Sequence, residues 1–299
     1  MKIFITGGNG QVGFELQRSL SSYGTIVAPS RSVLDLMDLE AVEQFLSVEQ
    51  PDLIVNAAAW TAVDLAEKEH ESAYRLNAEL PKLLADYAAL KSIWLVHYSS
   101  DYVYPGNGVA MWREGDMTAP LSIYGKSKLA GDKAVVASGA QFLIFRTSWV
   151  YGARGNNFMK TMLRLGAQRD SLSVVSDQVG APTPARLISQ VSAMSIDRVL
   201  SGGGFEKGIY HLAPTGSTNW CDFSKEIFQL AEQAGMPIKI SQASVSAIKT
   251  EEYPTPAARP LNSRLNVEKL EKALSITLPS WKDQLKLTLS EYLSTRGTN

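Results

Sequence analysis

Three features of this sequence predict a doubly wound α/β fold, a parallel sheet with a second, smaller α/β domain interwoven with it. Short β-rich runs alternate with helical periods through the first 150 residues. The strand runs are apolar throughout, as in strands buried on both faces. A glycine-rich turn separates the first strand from the first helix. Alternation of this kind builds βαβ units with right-handed crossovers, and the turn makes the sheet Rossmann-like.

The elements follow in order. "KIFIT" (2–6) is a strand closed by glycines. In "QVGFELQRSLSSYG", Val12, Leu16 and Leu20 recur at helical spacing until Gly24. "TIVAP" reads as a strand, "LEAVEQFLSVEQ" as a helix and "DLIVNAAA" as a strand. A helical region then runs from about Leu65 to Leu90, with Pro81 predicting a break or kink near Leu80. "IWLVHYSS", "LSIYGKSKLAGDKAVVAS" and "QFLIFRTS" complete a strand, a helix and a strand. Beyond residue 147 the pattern loosens. "NNFMKTMLRLGAQ" is a helix, "LSVVSD" a strand and "TPARLISQVSAMSIDRVLSG" a helix. "GIYHLA" is an apolar strand placed to return to the sheet edge. "WCDFSKEIFQLAEQAG" is an amphipathic helix, "YPTPAARP" (253–260) is a loop or an extended segment set by Pro254, Pro256 and Pro260, and a last helix spans about Trp281 to Ser294. The expected division assigns 1–147, 176–214 and 259–275 to a dinucleotide-binding domain, and 148–175, 215–258 and 276–299 to a substrate domain.

Composition narrows the function classes. A formal net charge of −1, with basic and acidic residues interleaved, lacks the basic excess of a nucleic-acid binder. The single Cys221 allows no intrachain disulfide and no cysteine metal cluster, and reads as a buried hydrophobe in a reducing, cytoplasmic compartment. The opening "IFIT" is too short for a signal-peptide core, and no window approaches the ~20 apolar residues of a membrane span.

"ITGGNGQVG" supplies Gly7, Gly8, Gly10 and Gly13 between strand and helix. A pyrophosphate needs this tight turn, a close backbone and free N–H groups at a helix N-terminus. A ligand-free Gly turn is the bland alternative. An acidic residue is expected about 20 positions later, to bond the adenosine ribose. Ser30 and Arg31 of "APSRSV" stand there instead. With no carboxylate, a 2′-phosphate is tolerated and Arg31 could pair with it, so NADPH is expected, with NADH admissible. A merely solvated Arg31 is the alternative.

Tyr124 and Lys128 of "IYGKSKLAG" are i and i+4, so they share a helix face. An isolated Y-x-x-x-K is usually an exposed pair. Here "HYSSDYVYPG" precedes it at the carboxyl end of the fourth strand, where open α/β sheets bind ligands. A cation beside the phenol would lower its pKa, letting it protonate a carbonyl oxygen as hydride reaches the carbon. A serine hydroxyl from Ser99 or Ser100 can assist at both oxygens.

Gly-rich turn, hydroxyl loop and Tyr/Lys helix together resemble the extended short-chain dehydrogenase/reductase family. "GGNGQVGFELQ", "PDLIVNAAAWTAVDLAE", "VHYSSDYVYPG", "YGKSKLAG", "FRTSWVYG", "NNFMKTMLRL", "DQVGAPT" and "YPTPAARPLNSRLN" narrow the resemblance to the dTDP-4-dehydrorhamnose reductase family. That family reduces the 4-keto group of dTDP-4-dehydro-L-rhamnose to give dTDP-L-rhamnose. The resemblance implies a catalytic set of Ser100 (often Thr in the family), Tyr124 as proton donor, and Lys128, which would hold the nicotinamide ribose and depress the phenol. It implies that Gly10, Gln11 and Val12 cradle the pyrophosphate and that Asp35 and Leu36 lie near the adenine. Ala59, Trp60 and Thr61 would line the cofactor, Tyr98 would lie beside the nicotinamide end, and Asp101 and Trp149 would border the sugar. Some members carry Mg²⁺ at a subunit contact through carboxylates. No such cluster is located here, so Mg²⁺ and a homodimer both stay open.

Structural alternatives accompany these assignments. Trp149 could be a core aromatic, Asp101 a turn cap, and Asp35 and Leu36 the start of a helix. Arg259 could meet the nucleotide diphosphate or make a structural salt bridge. Asp177 and Gln178 could touch ligand or fix a loop. His70, His97 and His211 show no metal spacing and read as structural. Competing functions are a 4-ketoreductase of another nucleotide-linked deoxysugar and a non-catalytic nucleotide-binding regulatory subunit. A dehydratase would need a carboxylate pair where "SSDY" offers only Asp101.

Overall fold

Residues 1–295 are described by a computed structural model of the chain. Strand β1 (Lys2–Thr6), buried from Ile3 onward, passes through the glycine turn into α1 (Gln11–Leu20). A Cβ on Gly13 would lie 2.1 Å from the Gly7 carbonyl oxygen, so only glycine lets α1 pack this close to the turn. Strand β2 (Thr25–Val27) leads to α2 (Leu39–Glu49), capped by Asp38, whose carboxylate accepts from Ala41 N at 3.0 Å. Strand β3 (Leu53–Asn56) follows.

The helical region expected over 65–90 is broken just before Leu80, and it also divides further upstream. Helices α3 (Val63–Ala66) and α4 (His70–Tyr74) lead into one π turn at Arg75–Glu79, then α5 (Leu80–Lys91). Pro81 has no N–H, so nothing donates from that position to the Asn77 carbonyl. The ladder widens there, with Leu80 N reaching Arg75 O. Strand β4 (Trp94–Ser100), α6 (Ile123–Ala137) and β5 (Gln141–Thr147) come next. Helix α6 crosses the freed carbonyl: a Cβ on Gly131 would sit 2.0 Å from Asn77 O.

The remaining elements are β6 (Val150–Tyr151), α7 (Phe158–Gln168), β7 (Leu172–Val175), β8 (Val179–Gly180), β9 (Thr183–Pro184) and α8 (Ala185–Leu200). Then come β10 (Gly208–His211), β11 (Thr218–Asn219), α9 (Trp220–Gln233), β12 (Val245–Ile248), β13 (Asn262–Ser263), α10 (Glu268–Leu274) and α11 (Trp281–Ser294). Residues 253–260 form a loop, as their prolines dictate. The two-residue strands, β12 and α10 carry too little periodicity to be read from sequence.

Among the described residues the main sheet has six strands in the order β10-β5-β4-β3-β1-β2, all parallel. The expected return of "GIYHLA" to the sheet edge is β10 beside β5. Strand order reverses between β1 and β3, the switch point where such sheets bind ligands. Apolar side chains of α1, α8 and α10 cover one face of the sheet, and those of α2 and α5 cover the other. A separate core joins α7, α9 and α11 around Met159, Phe223, Phe228 and Leu285. No helix among the described residues is long and apolar enough to cross a membrane.

Gly131→Ala is expected to destabilise the chain by about 1–3 kcal/mol, since the backbone carbonyl it meets cannot rotate away. A thermal melt reads this as a loss of several degrees. A melt equal to the parent's would mean the π turn and α6 separate without cost.

Candidate active site

Helix α6 is capped by Ser122, whose Oγ accepts from Gly125 N at 3.2 Å. A Cβ on Gly125 would lie 2.3 Å from Tyr102 O, so glycine lets this first turn rest on the loop after β4. Tyr124 and Lys128 face the carboxyl end of the sheet. Lys128 is 2% exposed, and its Nζ donates to the Tyr98 carbonyl at 2.6 Å. Burial pushes its pKa down to about 8, opposed by Asp132 one turn further along α6.

The phenol corrects one expectation. Lys128 was to depress Tyr124, yet burial dominates and raises it, with the Ser100 hydroxyl pulling the other way. The ammonium's short hydrogen bond goes to a backbone carbonyl, not to the ring oxygen. Tyr124 is therefore held as the neutral phenol, the form a proton donor needs. Tyr102 packs edge-on against its ring at 5.3 Å.

Ser100 ends β4. Its Oγ donates to Asp101 Oδ1 at 3.1 Å and accepts from Tyr102 N at 3.2 Å. Asp101 is 2% exposed; burial pushes its carboxyl up to about 6, with Ser263 and Ser100 countering. The cap of the turn after β4 is Ser100, and Asp101 is the first residue of that turn.

The glycine turn has the shape a pyrophosphate requires. Gly7 lies at φ 68° against the Ala57–Ala58 backbone, and Gly10 N closes the turn on Gly7 O at 2.9 Å. Gln11 Oε1 accepts from Asn157 Nδ2 at 2.9 Å, and Val12 packs into the sheet core. Ser30, Arg31, Asp35 and Leu36 share the β2–α2 loop; Asp35 and Leu36 precede α2 without starting it. The Arg31 side chain is 82% exposed, 3.8 Å from Asp35. Ala59, Trp60 and Thr61 follow β3. Trp60 N donates to Asn77 Oδ1, and Asn77 Nδ2 donates back to Trp60 O and on to Ser127 Oγ. Tyr98 turns its ring into the core, its hydroxyl donating to Ser192 at 2.7 Å, so its carbonyl is what reaches the site.

Trp149 takes the left-handed conformation (φ 48°) and stacks on Trp220 with centroids 3.7 Å apart. Gln178 accepts from Trp220 Nε1, while Asp177 accepts from Thr250, so both of these residues fix a loop. Arg259 pairs with Asp64 at 2.7 Å and reaches the Tyr102 hydroxyl at 3.5 Å, which is the salt-bridge reading. His97 and His211 are buried in hydrogen bonds to Asn56 and Tyr104.

Among the described residues no group of three or more His, Cys, Asp or Glu side chains is placed to hold a metal. Glu15 and Glu291 do approach one another, but Arg18 and Arg186 each pair with both. Sequence reasoning missed Asn77, hidden in an irregular helix, and Trp220. It also missed Asp132 and Arg146, although a charge inside the apolar run "QFLIFRTS" signals a buried partner.

Comparison with known proteins gives a consistent result. The family model described as RmlD substrate binding domain matches residues 1–294. The chain is 45% identical over 299 residues to the dTDP-4-dehydrorhamnose reductase of Escherichia coli (strain K12), covering 99% of both. A solved dTDP-4-dehydrorhamnose reductase from Clostridium acetobutylicum ATCC 824 matches with a TM-score of 0.88 at 36% identity, over 98% of this chain and 100% of that one. One from Bacillus anthracis str. Ames, in complex with NADP, gives 0.87 at 36% identity, over 97% and 99%.

Asp101 carries a stability cost with a definite sign. Its folded pKa of about 6 lies above the ordinary 3.8, so the folded chain binds the extra proton between those values. Its contribution is then lost as pH rises through about 6. Asp101→Asn is expected to melt above the parent at pH 8, by up to about 3 kcal/mol. The advantage should shrink as pH falls from 6 towards 4. A difference that does not vary with pH would show that the carboxyl is not desolvated.

Proposed function

The chain belongs to the dTDP-4-dehydrorhamnose reductase family, and on that premise we propose that it reduces the 4-keto group of dTDP-4-dehydro-L-rhamnose to dTDP-L-rhamnose with NADPH. The observation that carries this reading is Tyr124, held neutral between the Ser100 hydroxyl and the Lys128 helix turn, at the carboxyl edge of a sheet whose first turn is a glycine cradle.

The residues fit a nicotinamide dinucleotide. Side chains at Gly7 and Gly13 would fill the turn, and the free N–H groups of α1 point where a pyrophosphate is bound. Gly10, Gln11 and Val12 are assigned to that cradle, Ser30, Arg31, Asp35 and Leu36 to the adenosine end, and Ala59, Trp60, Thr61 and the Tyr98 carbonyl to the inner end. The dinucleotide supplies a hydride to C4. Tyr124 gives its phenolic proton to the ketone oxygen as charge develops there, so a C=O becomes CH–OH and the phenol is left as phenolate. Ser100 donates to the same oxygen, and Lys128 stabilises the phenolate electrostatically. Asp101 and Trp149 are assigned to the sugar. Arg259, now paired with Asp64, is assigned to the diphosphate, for which its fork is suited. The separate core of α7, α9 and α11 supports a substrate domain of 148–175, 215–258 and 276–299 beside a cofactor domain of 1–147, 176–214 and 259–275, with Val150, Ile276 and Leu278 packing on the cofactor side and the last four residues lying outside the described ones. The buried lone Cys221 supports a cytoplasmic setting.

Tyr124→Phe is expected to lower kcat by about 10²–10⁴, the usual reach of general acid catalysis, with NADPH binding retained. An assay on dTDP-4-dehydrorhamnose checks it, and parent-like turnover would remove the assigned role. Arg31 is exposed and only loosely paired, which favours the 2′-phosphate. NADPH is expected to exceed NADH in kcat/KM by about tenfold or more, a difference of ~1.4 kcal/mol, and Arg31→Ala to erase most of that. An NADH preference in the parent would refute it.

A further inference from the structure

Helix α6 carries a third polar side chain on the stripe of Tyr124 and Lys128. Asp132 is i+4 from Lys128 and i+8 from Tyr124. It is 1% exposed, and its Oδ2 accepts from Arg146 Nε at 3.0 Å. Arg146, 3% exposed on β5, is held from behind. Its Nη1 donates to the Tyr104 hydroxyl at 2.8 Å, and its guanidinium lies 5.2 Å from the centre of that ring. Tyr104 Oη lies 2.7 Å from His211 Nε2, and His211 Nδ1 lies 3.0 Å from the Asn266 carbonyl. That carbonyl can only accept, so Nδ1 carries the proton and Nε2 accepts from Tyr104. The Tyr104 oxygen is then free to accept from Arg146, and the network has one direction throughout.

The other carboxylate oxygen is what this network leaves over. Asp132 Oδ1 is fully buried and has no hydrogen-bond partner among the described residues, and the same holds for Ser99 Oγ. Burial raises the pKa of the Asp132 carboxyl, and Arg146, the Ser99 hydroxyl and Lys128 counter it. A buried ion pair is weak grounds for stability, because desolvation offsets its attraction. We propose that Asp132, anchored by Arg146, is a positioning residue of the reduction, its buried carboxylate being the counter-charge that sustains the Lys128 ammonium from one turn further along α6. The proposal deepens the reductase reading and rests on it.

Several charged and titratable groups surround Lys128. From β4 comes His97, neutral and buried; from the following loop, Asp101. From α6 come Tyr124 and Asp132, and from β5 comes Arg146. On the outer side of α6, Glu67 caps the Ile123 N–H and the half-exposed Arg75–Glu79 pair borders solvent. Of these, Asp132 is the group that opposes the loss of the ammonium's proton to burial.

The test compares Asp132→Asn, Asp132→Glu and the double variant Asp132→Asn/Arg146→Met with the parent, each by pH profile of kcat/KM and by melting. The alkaline limb reports loss of the ammonium in the free enzyme. Without Asp132 that loss comes at lower pH, so the limb should move towards neutrality by about one unit, a tenfold change in proton affinity. Asp132→Glu should bring it back. The double variant leaves no orphaned guanidinium, so its melting temperature should recover while its limb stays displaced. A limb coinciding with the parent's in Asp132→Asn or in the double variant makes the pair purely structural and overturns the proposal. The ¹⁵N resonance of Lys128 Nζ, followed by pH titration, reads the same displacement without turnover. A parent that reduces no 4-keto sugar but shows the displacement therefore fails the reductase reading alone.

Discussion

An ammonium group at 2% exposure must be compensated, and in this chain the compensation organises the site. Lys128 donates to the Tyr98 carbonyl at 2.6 Å, a bond that requires α6 to run close along the carboxyl end of β4. Gly125 and Gly131 permit that approach, because a Cβ at either would strike a backbone oxygen. The oxygen at Gly131 belongs to Asn77, in the turn that Pro81 forces open. Asn77 also fixes Trp60 in the loop after β3 and Ser127 on α6. One missing N–H thus connects the placement of the lysine to the loop assigned to the cofactor.

The second core reaches the same place by different contacts. Asn157, the cap of α7, bonds Gln11 in the first turn of α1, and the missing side chain at Gly155 leaves room for Gln11. Arg259 ties the proline-rich loop to Asp64 and Tyr102. Trp149 joins the groups through its stack on Trp220, with its backbone at a φ that non-glycine residues avoid. Such outliers persist where the surroundings over-determine them, and here Gly180 and Trp220 flank the ring.

The strands of the main sheet, the long helices and the glycine turn were legible because each announces itself within a dozen residues by period or punctuation. Tyr124, Lys128 and Ser100 were legible through the order of motifs. What escaped depends on contacts between distant segments. No local pattern says that Asn77 faces Trp60, or that Tyr98 turns its ring away and presents its carbonyl. The same holds for the Arg259–Asp64 pair, where two chemically sound partners competed and only folding chooses. Asp132 lay within reach, since its spacing continues the stripe and Arg146 is an unexplained charge in an apolar strand.

The direction of the two proton affinities bears on the chemistry. Burial moves Tyr124 up and Lys128 down, each towards its neutral form. A phenol poised to lose its proton in the resting site would serve as base; one held neutral serves as acid, and reduction of a ketone needs the acid. In the proposed reduction, transfer becomes favourable only as negative charge grows on the carbonyl oxygen, when Ser100 would donate there and the phenolate would gain the field of the ammonium. On that proposal the value of Lys128 would lie in what it does for the phenolate after transfer, and the lysine would have to be charged still at that moment. With its own affinity brought down to about 8, the margin is narrow. A fixed carboxylate one turn away sustains that margin, which gives the buried Asp132–Arg146 pair a reason to exist where two apolar side chains would pack at least as well.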